Sequence, residues 1–400
     1  MSASSSPQEV ASALLAEKGL RLQSLKEIQS LWAGYGQICL LTATPNSSPD
    51  NSTESSRSSF VLKLITPPPT KANDEGHTRK ILSYQVEQYF YSHLAHQLPS
   101  SIPVAKCLGS INQHHANGTS TTAMILSDLK QQYPITGEKR NILSPIQVDS
   151  TLDWLSAFHG VWWPRVKEWN RSSFVRPPLE EVQNDGEDAA EKTVWLNGGY
   201  TYLETRRKEY ADLAADEDSE WTAALAKPIG AENLSVAEMV AAFLAPEISG
   251  SSPISQYETL IHGDVKSENL FTSTSGEMVA FYDFQYTGLG LGVCDLAKLF
   301  TCSVPMSMLV EDEYVPHALP LQEGEKKLLK RYWSRLKASS DRDYDWDTFL
   351  WHWEVALVDW LRFQASWGFW GNTEWLEARV RDILKDAAWT DALVKSTVTV

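Results

Sequence analysis

Ile261-His262-Gly263-Asp264-Val265-Lys266-Ser267-Glu268-Asn269-Leu270-Phe271 is followed, after a short turn of Thr, Ser and Gly, by Met278-Val279-Ala280-Phe281-Tyr282-Asp283-Phe284-Gln285. Apolar runs flank a polar loop, so Asp264 and Asn269, five positions apart on that loop, are placed to present their side chains to one small volume. Asp283, at the end of the next apolar run, reaches the same volume. Two carboxylates and a carboxamide are hard oxygen donors that suit Mg²⁺ held on nucleotide phosphates. Such a set is the working end of a phosphoryl-transfer site.

The spacing of His-Gly-Asp, Asn269 and Asp-Phe-Gln resembles the aminoglycoside phosphotransferase and choline-kinase-like superfamily, and within it the ecdysteroid-kinase-like branch. The resemblance implies an α+β, two-lobed protein-kinase-like fold, with a small antiparallel-sheet N-terminal lobe and a larger, mainly helical C-terminal lobe. It implies ATP and Mg²⁺ as cofactors. The acceptor it implies is a hydroxyl of a small molecule: an aminoalcohol, an aminoglycoside, a sterol-like alcohol or another metabolite; a nucleotide-binding pseudokinase or a kinase-fold enzyme that modifies proteins is the alternative. Carried over residue by residue, Asp264 takes or orients the acceptor proton, and Asn269 and Asp283 bind the metal. His-Gly-Asp-Val-Lys-Ser-Glu-Asn is also similar to the His-Arg-Asp-Leu-Lys-Pro-Glu-Asn loop of protein kinases. By that match Lys266 neutralises charge on the transferred group; a surface lysine on a polar loop is the other reading. The likeness to protein kinases ends soon after. Gly263 stands where they have Arg, Gln285 stands where they have Gly, and only residues 286–293 precede Cys294-Asp295-Leu296-Ala297. No activation segment is present to dock a protein, and Asp295 is expected to brace the catalytic loop.

The chain of 400 residues is long enough for two or three structural units and a large core. Its net charge of −16, from 35 basic and 51 acidic residues, disfavours nucleic acid or an anionic membrane as partner. Cys39, Cys107, Cys294 and Cys302 are far apart, without metal-binding or disulfide spacing. The N-terminus lacks the basic start and apolar core of a signal peptide, and no stretch reaches the length of a membrane span, so a cytoplasmic protein is expected. Nothing in the sequence bears on oligomeric state.

Residues 26–31 and 38–43 read as strands joined by Trp32-Ala33-Gly34-Tyr35-Gly36-Gln37. Gly34 and Gly36 would let the backbone approach a phosphate, although a Gly-x-Gly turn is equally common in any hairpin. Residues 45–59, rich in Ser and Asn, read as an exposed loop. The apolar strand over 60–65 carries Lys63 in its middle. A buried strand does not tolerate an unpaired lysine, so Lys63 faces either solvent or an anion. The resemblance makes it the phosphate-binding lysine and makes Glu87, on a helix predicted over 80–96, its partner. A second hairpin, 104–111 with 121–126, turns at His114-His115-Ala116-Asn117-Gly118, where Asn-Gly is the signal. Residues 125–129 close the lobe, at the position where the family's hinge bonds adenine, and Asp128 matches its usual acidic residue. The expected organisation is a flexible N-terminus over 1–20, a nucleotide-binding lobe over 21–128 and a catalytic and substrate-binding lobe over 129–400.

Helical spacing predicts a helix over 148–163 capped at Ser150, and further helices over 203–213 and 235–244. His159 reads as a packed core residue, and the acidic run 179–191 as a solvated insertion. Trp346, Trp353, Trp360 and Trp367 recur every seven residues, a stripe that drifts about 20° per heptad on a helix. Such a stripe is a core face or, as in choline kinases, part of an aromatic enclosure for a quaternary ammonium. Trp353 matches the first Trp of the choline-kinase Trp-x-x-Trp pair, but Ala356 stands at the second. Glu354 and Asp359 are the acids that could face an amine.

Overall fold

The structure is a computed structural model that describes residues 6–46, 57–68, 70, 74–114, 120–184, 192–199, 201–229, 233–340 and 342–398. Two compact units emerge: residues 1–132 with 178–189, and residues 133–177 with 190–400.

The first unit is built on α1 (Pro7–Ala16), β1 (Leu20–Ser30), β2 (Gly36–Pro45), β3 (Ser58–Ile65), α2 (Glu75–Tyr89), β4 (Cys107–His114) and β5 (Ser120–Ser127). Its described strands form one antiparallel sheet in the order β1-β2-β3-β5-β4. Alternation along β2 and β3 turns Cys39, Leu41, Ala43, Leu62 and Leu64 inward. Helix α1 lays Val10, Ala11, Leu14 and Leu15 on that face.

A flexible terminus was expected here, and for residues 7–16 the structure corrects it. The signal was the capping box: Ser6 Oγ accepts the Glu9 N–H while Glu9 accepts the Ser6 N–H, with Pro7 opening the helix. The apolar sheet face supplies the reason for it to dock. Strand β1 starts earlier than expected, with irregularities between Leu22 and Ser24 and between Glu27 and Gln29. Strand β2 runs to Pro45, and residues 47–56 of the predicted loop lie outside the described residues. So does the hairpin turn at 115–119.

Helix α2 begins at Glu75, not residue 80, because the Asp74 carboxylate caps the His77 N–H; a π turn over Phe90–Leu94 continues it. The acidic run is not wholly solvated: it opens with α4 (Pro178–Asn184) in this same unit, and Glu181 is buried.

The second unit holds β6 (Ile135–Thr136), α3 (Pro145–Trp162), α5 (Arg207–Ala215), β7 (Pro228–Ile229), β8 (Leu234–Ser235), α6 (Val236–Leu244), β9 (Thr259–Ile261), β10 (Leu270–Thr272), β11 (Val279–Phe281), β12 (Gly288–Gly290), α7 (Gly292–Ser303), α8 (Glu323–Ser340), α9 (Trp346–Trp367), α10 (Thr373–Lys385) and α11 (Ala387–Val398). Helix α3 is capped by Ser144 with Gln147, one turn and a half before the expected Ser150, since Pro145 fits its first turn. Small antiparallel ladders pair β10 with β11 and β6, and β12 with β9. Among the described residues no helix is long and apolar enough to cross a membrane.

The Trp stripe lies on α9 and divides by depth. Trp353 is fully buried against Phe300 of α7, Trp360 is buried, and Trp367 is about half exposed. The indole N–H groups of Trp353 and Trp375 both donate to the Glu325 carboxylate of α8, at 2.9 and 3.3 Å, and Arg379 of α10 donates to it at 2.9 Å. Trp353 is therefore core.

Two outcomes test this packing. Leu15→Ala is expected to cost about 2–5 kcal/mol in a denaturant titration; a loss below about 1 kcal/mol would mean that α1 does not cover the sheet. His352 on α9 has its pKa lowered to about 4 by burial, whereas an unfolded histidine titrates near 6.5. Stability is thus complete above about pH 6.5 and falls as pH drops towards the folded value. The difference in stability between wild type and His352→Gln should shift by about 2 kcal/mol between pH 7 and pH 5. A pH-independent difference would refute the assignment.

Candidate active site

The His-Gly-Asp turn leaves the end of β9 and is held from below by α7. The Asp295 carboxylate, fully buried, accepts the His262 N–H at Oδ2 (2.7 Å) and the Gly263 N–H at Oδ1 (2.9 Å). His159 of α3 donates to it from Nε2 at 3.2 Å, and the Tyr332 hydroxyl of α8 meets His159 Nδ1 at 2.8 Å. Burial by itself would raise the Asp295 pKa, but the His159 hydrogen bond and the nearby Lys298 charge bring it below the ordinary value. One turn along α7, Lys298 Nζ donates to the Gly263 carbonyl at 2.5 Å.

Gly263 has φ +84°, and a Cβ there would stand 2.1 Å from the Tyr286 carbonyl oxygen. Both the conformation and the space exclude a side chain. This accounts for glycine where protein kinases carry arginine.

His262 is the link between turn and hairpin. Its Nε2 donates to the Tyr282 carbonyl at 3.0 Å, and its Nδ1 accepts the Asp264 N–H at 3.3 Å. Burial lowers its pKa, so the ring is the neutral tautomer that these two contacts require. Tyr282 in turn donates its N–H to the Asn269 carbonyl at 3.0 Å. Asn269, just before β10, and Asp283, just after β11, therefore lie at the same end of one hairpin, whose register pairs Leu270 with Phe281.

The expected residues come together as follows. Asn269 Nδ2 donates to the Asp264 carbonyl at 2.8 Å and to Asp264 Oδ2 at 3.0 Å. Lys266 Nζ lies 3.1 Å from the same Oδ2 and 3.1 Å from Glu268. Burial would lower the Lys266 pKa, but the charges of Asp264 and Glu268 outweigh it and hold the ammonium above the ordinary lysine range. Asp283 has left-handed backbone (φ 66°, ψ 57°), a costly conformation for a residue other than glycine, and its Oδ1 accepts from Gln285 at 2.7 Å.

In the first unit Lys63 and Glu87 are both buried and meet at 2.6 Å, with Lys63 Nζ 5.4 Å from the Tyr84 ring centre. The remaining candidates differ in kind. Gly34 has φ +74° with open space around it, whereas a Cβ on Gly36 would stand 2.0 Å from the Leu64 carbonyl oxygen. Gly36 is thus needed for packing against β3 in the first place. The Asp128 carboxylate is engaged by Ser59 Oγ (2.6 Å) and the Lys130 N–H (3.0 Å) as the cap of a short turn.

The donor set suits a hard cation without forming a cage of its own. Among the described residues there is no cluster of three His, Cys, Asp or Glu able to hold a metal. Asn269 turns its amide nitrogen to Asp264, leaving Oδ1 without a hydrogen bond among the described residues. Two or three side-chain oxygens completed by phosphate oxygens is how Mg²⁺ is bound in nucleotide enzymes.

The model of the ecdysteroid kinase-like family matches residues 38–316, well over half of the chain. The chain belongs to the ecdysteroid kinase-like family. It is a small-molecule kinase by family, with the mixed α+β architecture expected of one. A comparison with curated proteins gives no match. Among solved structures, a microcompartment-associated aminopropanol kinase is 14% identical, covers 98% of this chain and 98% of its own, and has a TM-score of 0.43. An amicoumacin kinase in complex with AMP-PNP, Ca²⁺ and Ami is 12% identical, with 93% and 86% covered and a TM-score of 0.36. A choline kinase from Cryptosporidium parvum Iowa II is 11% identical, with 96% and 90% covered and a TM-score of 0.39.

Sequence reasoning about this ecdysteroid kinase-like chain missed Lys298 and the linking role of His262. The available signal for Lys298 was its i, i+3 spacing from Asp295 on one helix. Gly263→Ala is expected to destabilise the protein by at least 1–3 kcal/mol, on the order of the cost of a strained left-handed residue. It should also abolish turnover in the fraction that stays folded. A variant with wild-type melting temperature would contradict this geometry.

Proposed function

We propose that this chain transfers the γ-phosphoryl group of ATP to a hydroxyl of a small-molecule alcohol, with Asp264 as the residue that orients and takes the acceptor proton. The observation that carries the proposal is the arrangement at Asp264, whose Oδ2 has Asn269 at 3.0 Å and Lys266 at 3.1 Å while its backbone is fixed through His262 and Asp295. A carboxylate held in one direction is what a proton acceptor in phosphoryl transfer needs.

As the acceptor oxygen forms its bond to the γ-phosphorus, the bond from that phosphorus to the bridging oxygen breaks and ADP leaves. The acceptor proton passes to Asp264 Oδ and from there to solvent. Lys266, charged at all physiological pH, offsets the negative charge spread over the transferring group. Asn269 and Asp283 are the residues that would hold Mg²⁺, which when bound neutralises charge on the phosphate oxygens. Lys63, kept in position by Glu87, binds the phosphates. The adenine falls to the backbone around Asp128.

A small acceptor is favoured over a protein by the shortness of the connection after Asp283: β12 follows at once and pairs with β9, and α7 begins at Gly292. Aminoalcohols, aminoglycosides and sterol-like or other metabolite alcohols remain the candidate classes. The burial of Trp353 removes it from any aromatic enclosure for a quaternary ammonium.

The protein is incubated with Mg²⁺, γ-labelled ATP and a panel of alcohols from these classes. Label is expected in one low-mass product. Asp264→Ala should lower that turnover by about 10²–10⁴-fold, with ATP affinity preserved. An unchanged rate in the variant would remove Asp264 from the mechanism, and label on polypeptide alone would replace the small-molecule acceptor with a protein.

A further inference from the structure

The catalytic turn contains one glycine in a left-handed conformation, and glycine holds no conformation by itself. What holds it is a single turn of α7. Asp295 and Lys298 are three residues apart on that helix, and between them they bind three polar groups of the turn's backbone. These are the N–H of His262, the N–H of Gly263 and the C=O of Gly263.

Apolar packing does not account for Lys298. It is 5% exposed, in a helix whose neighbouring Leu296, Ala297, Leu299 and Phe300 are buried apolar residues. Burying an ammonium is costly, and an apolar residue of similar length would avoid that cost. Among the described residues no carboxylate lies within ion-pair distance of Lys298, and its hydrogen bond is the one to the Gly263 oxygen. Two further features accommodate the charge. A Cβ on Gly199 would come within 3.1 Å of Nζ, so the glycine leaves the ammonium its space. The Trp360 ring centre lies 6.0 Å from Nζ, a weak cation–π contact.

The consequence runs through one peptide group. The peptide joining Gly263 to Asp264 is planar, so fixing its oxygen fixes its N–H as well. Lys298 holds the oxygen at 2.5 Å, and His262 Nδ1 holds the N–H at 3.3 Å. With that plane pinned at both ends the Asp264 Cα is placed, and Asn269 Nδ2, donating to the Asp264 carbonyl at 2.8 Å, holds the next plane, so the side chain leaves in a set direction.

We infer that Lys298 is a positioning residue for phosphoryl transfer, acting through the Gly263 carbonyl to aim the Asp264 carboxylate. The inference rests on Asp264 being the proton acceptor, and it makes Lys298 part of the active machinery without contact with the reacting atoms.

The test compares Lys298→Met, which removes the donor with little change in length, and Lys298→Gln, which keeps an N–H donor. Turnover is followed as label passed from γ-labelled Mg-ATP to the alcohol panel, alongside melting temperature and amide hydrogen exchange read by mass spectrometry. For Lys298→Met, kcat is expected to fall about tenfold to a hundredfold, the size of a small misplacement at the reacting centre. KM for ATP should stay within about twofold, and Lys298→Gln should be intermediate. Exchange at the Gly263 and Asp264 amides should rise about tenfold or more, with the remainder of the chain protected as in wild type.

Unchanged kcat in folded Lys298→Met would overturn the inference, as would a general loss of protection with kcat per folded molecule preserved. If wild type transfers no label from ATP to any alcohol of the panel, the proposed function fails. Hydrogen exchange then decides the present inference alone: local loss at residues 263–264 sustains the clamp, and unchanged exchange there refutes it.

Discussion

A buried carboxylate is expensive unless every side of it is occupied, and the Asp295 carboxylate is occupied by the turn it holds. Its two oxygens take the N–H groups of His262 and Gly263, and His159 closes the remaining approach. Neither partner is content without the other. Helix α7 needs the turn to satisfy its acid, and the turn needs the acid to hold a glycine at φ +84°. From that mutual requirement the other directions follow in sequence. The turn fixes the His262 ring, the ring ties to the Tyr282 carbonyl, and the hairpin end that carries Asn269 and Asp283 is set beside Asp264.

The first unit repeats the same economy with opposite sign. Lys63 lies mid-strand, in register with Ile38 and Met124, where a charge has no place unless it is met. Glu87 meets it at 2.6 Å from α2, and Tyr84 of the same helix presents its ring. Removing either charge would leave the other buried and bare, which is worse for the fold than removing both. Apolar residues would pack this contact between the middle strand of the sheet and a helix at lower cost.

The part of the site legible in the sequence was the part that short-range spacing encodes. Asp264, Asn269 and Asp283 sit on one loop and one hairpin, so linear distance stands in for spatial distance. Lys63 was legible because a lysine inside an apolar strand breaks a rule. What stayed hidden depended on directions that spacing does not carry. Lys298 follows Asp-Leu-Ala on a helix that is buried nearly all round, and Asp295 and Lys298 both reach the turn. Gly36 read as a phosphate loop because sequence shows a glycine and not the Leu64 carbonyl pressed against it. A capping box marks α1 against the expectation of a flexible terminus, and acidity conceals α4. The Trp repeat announced a helix face but left its depth open, which the Glu325 contacts of Trp353 and Trp375 resolve towards the core.

The Glu325 node also bears on how the protein comes into being on the ribosome. Its carboxylate belongs to α8, but the groups that satisfy it arrive later: Trp353 from α9, then Trp375 and Arg379 from α10. Trp353 also forms a wall of α7 through Phe300. While α10 is still in the exit tunnel, α8 carries an acid with no home and α7 has an open flank. The helix that clamps the catalytic turn therefore gains its full surroundings only once residues beyond 379 have emerged. The second unit draws its contacts from its last helices, whereas the sheet of the first is complete with β5. The setting of the His-Gly-Asp turn thus depends, through α7, on helices that follow it far along the chain.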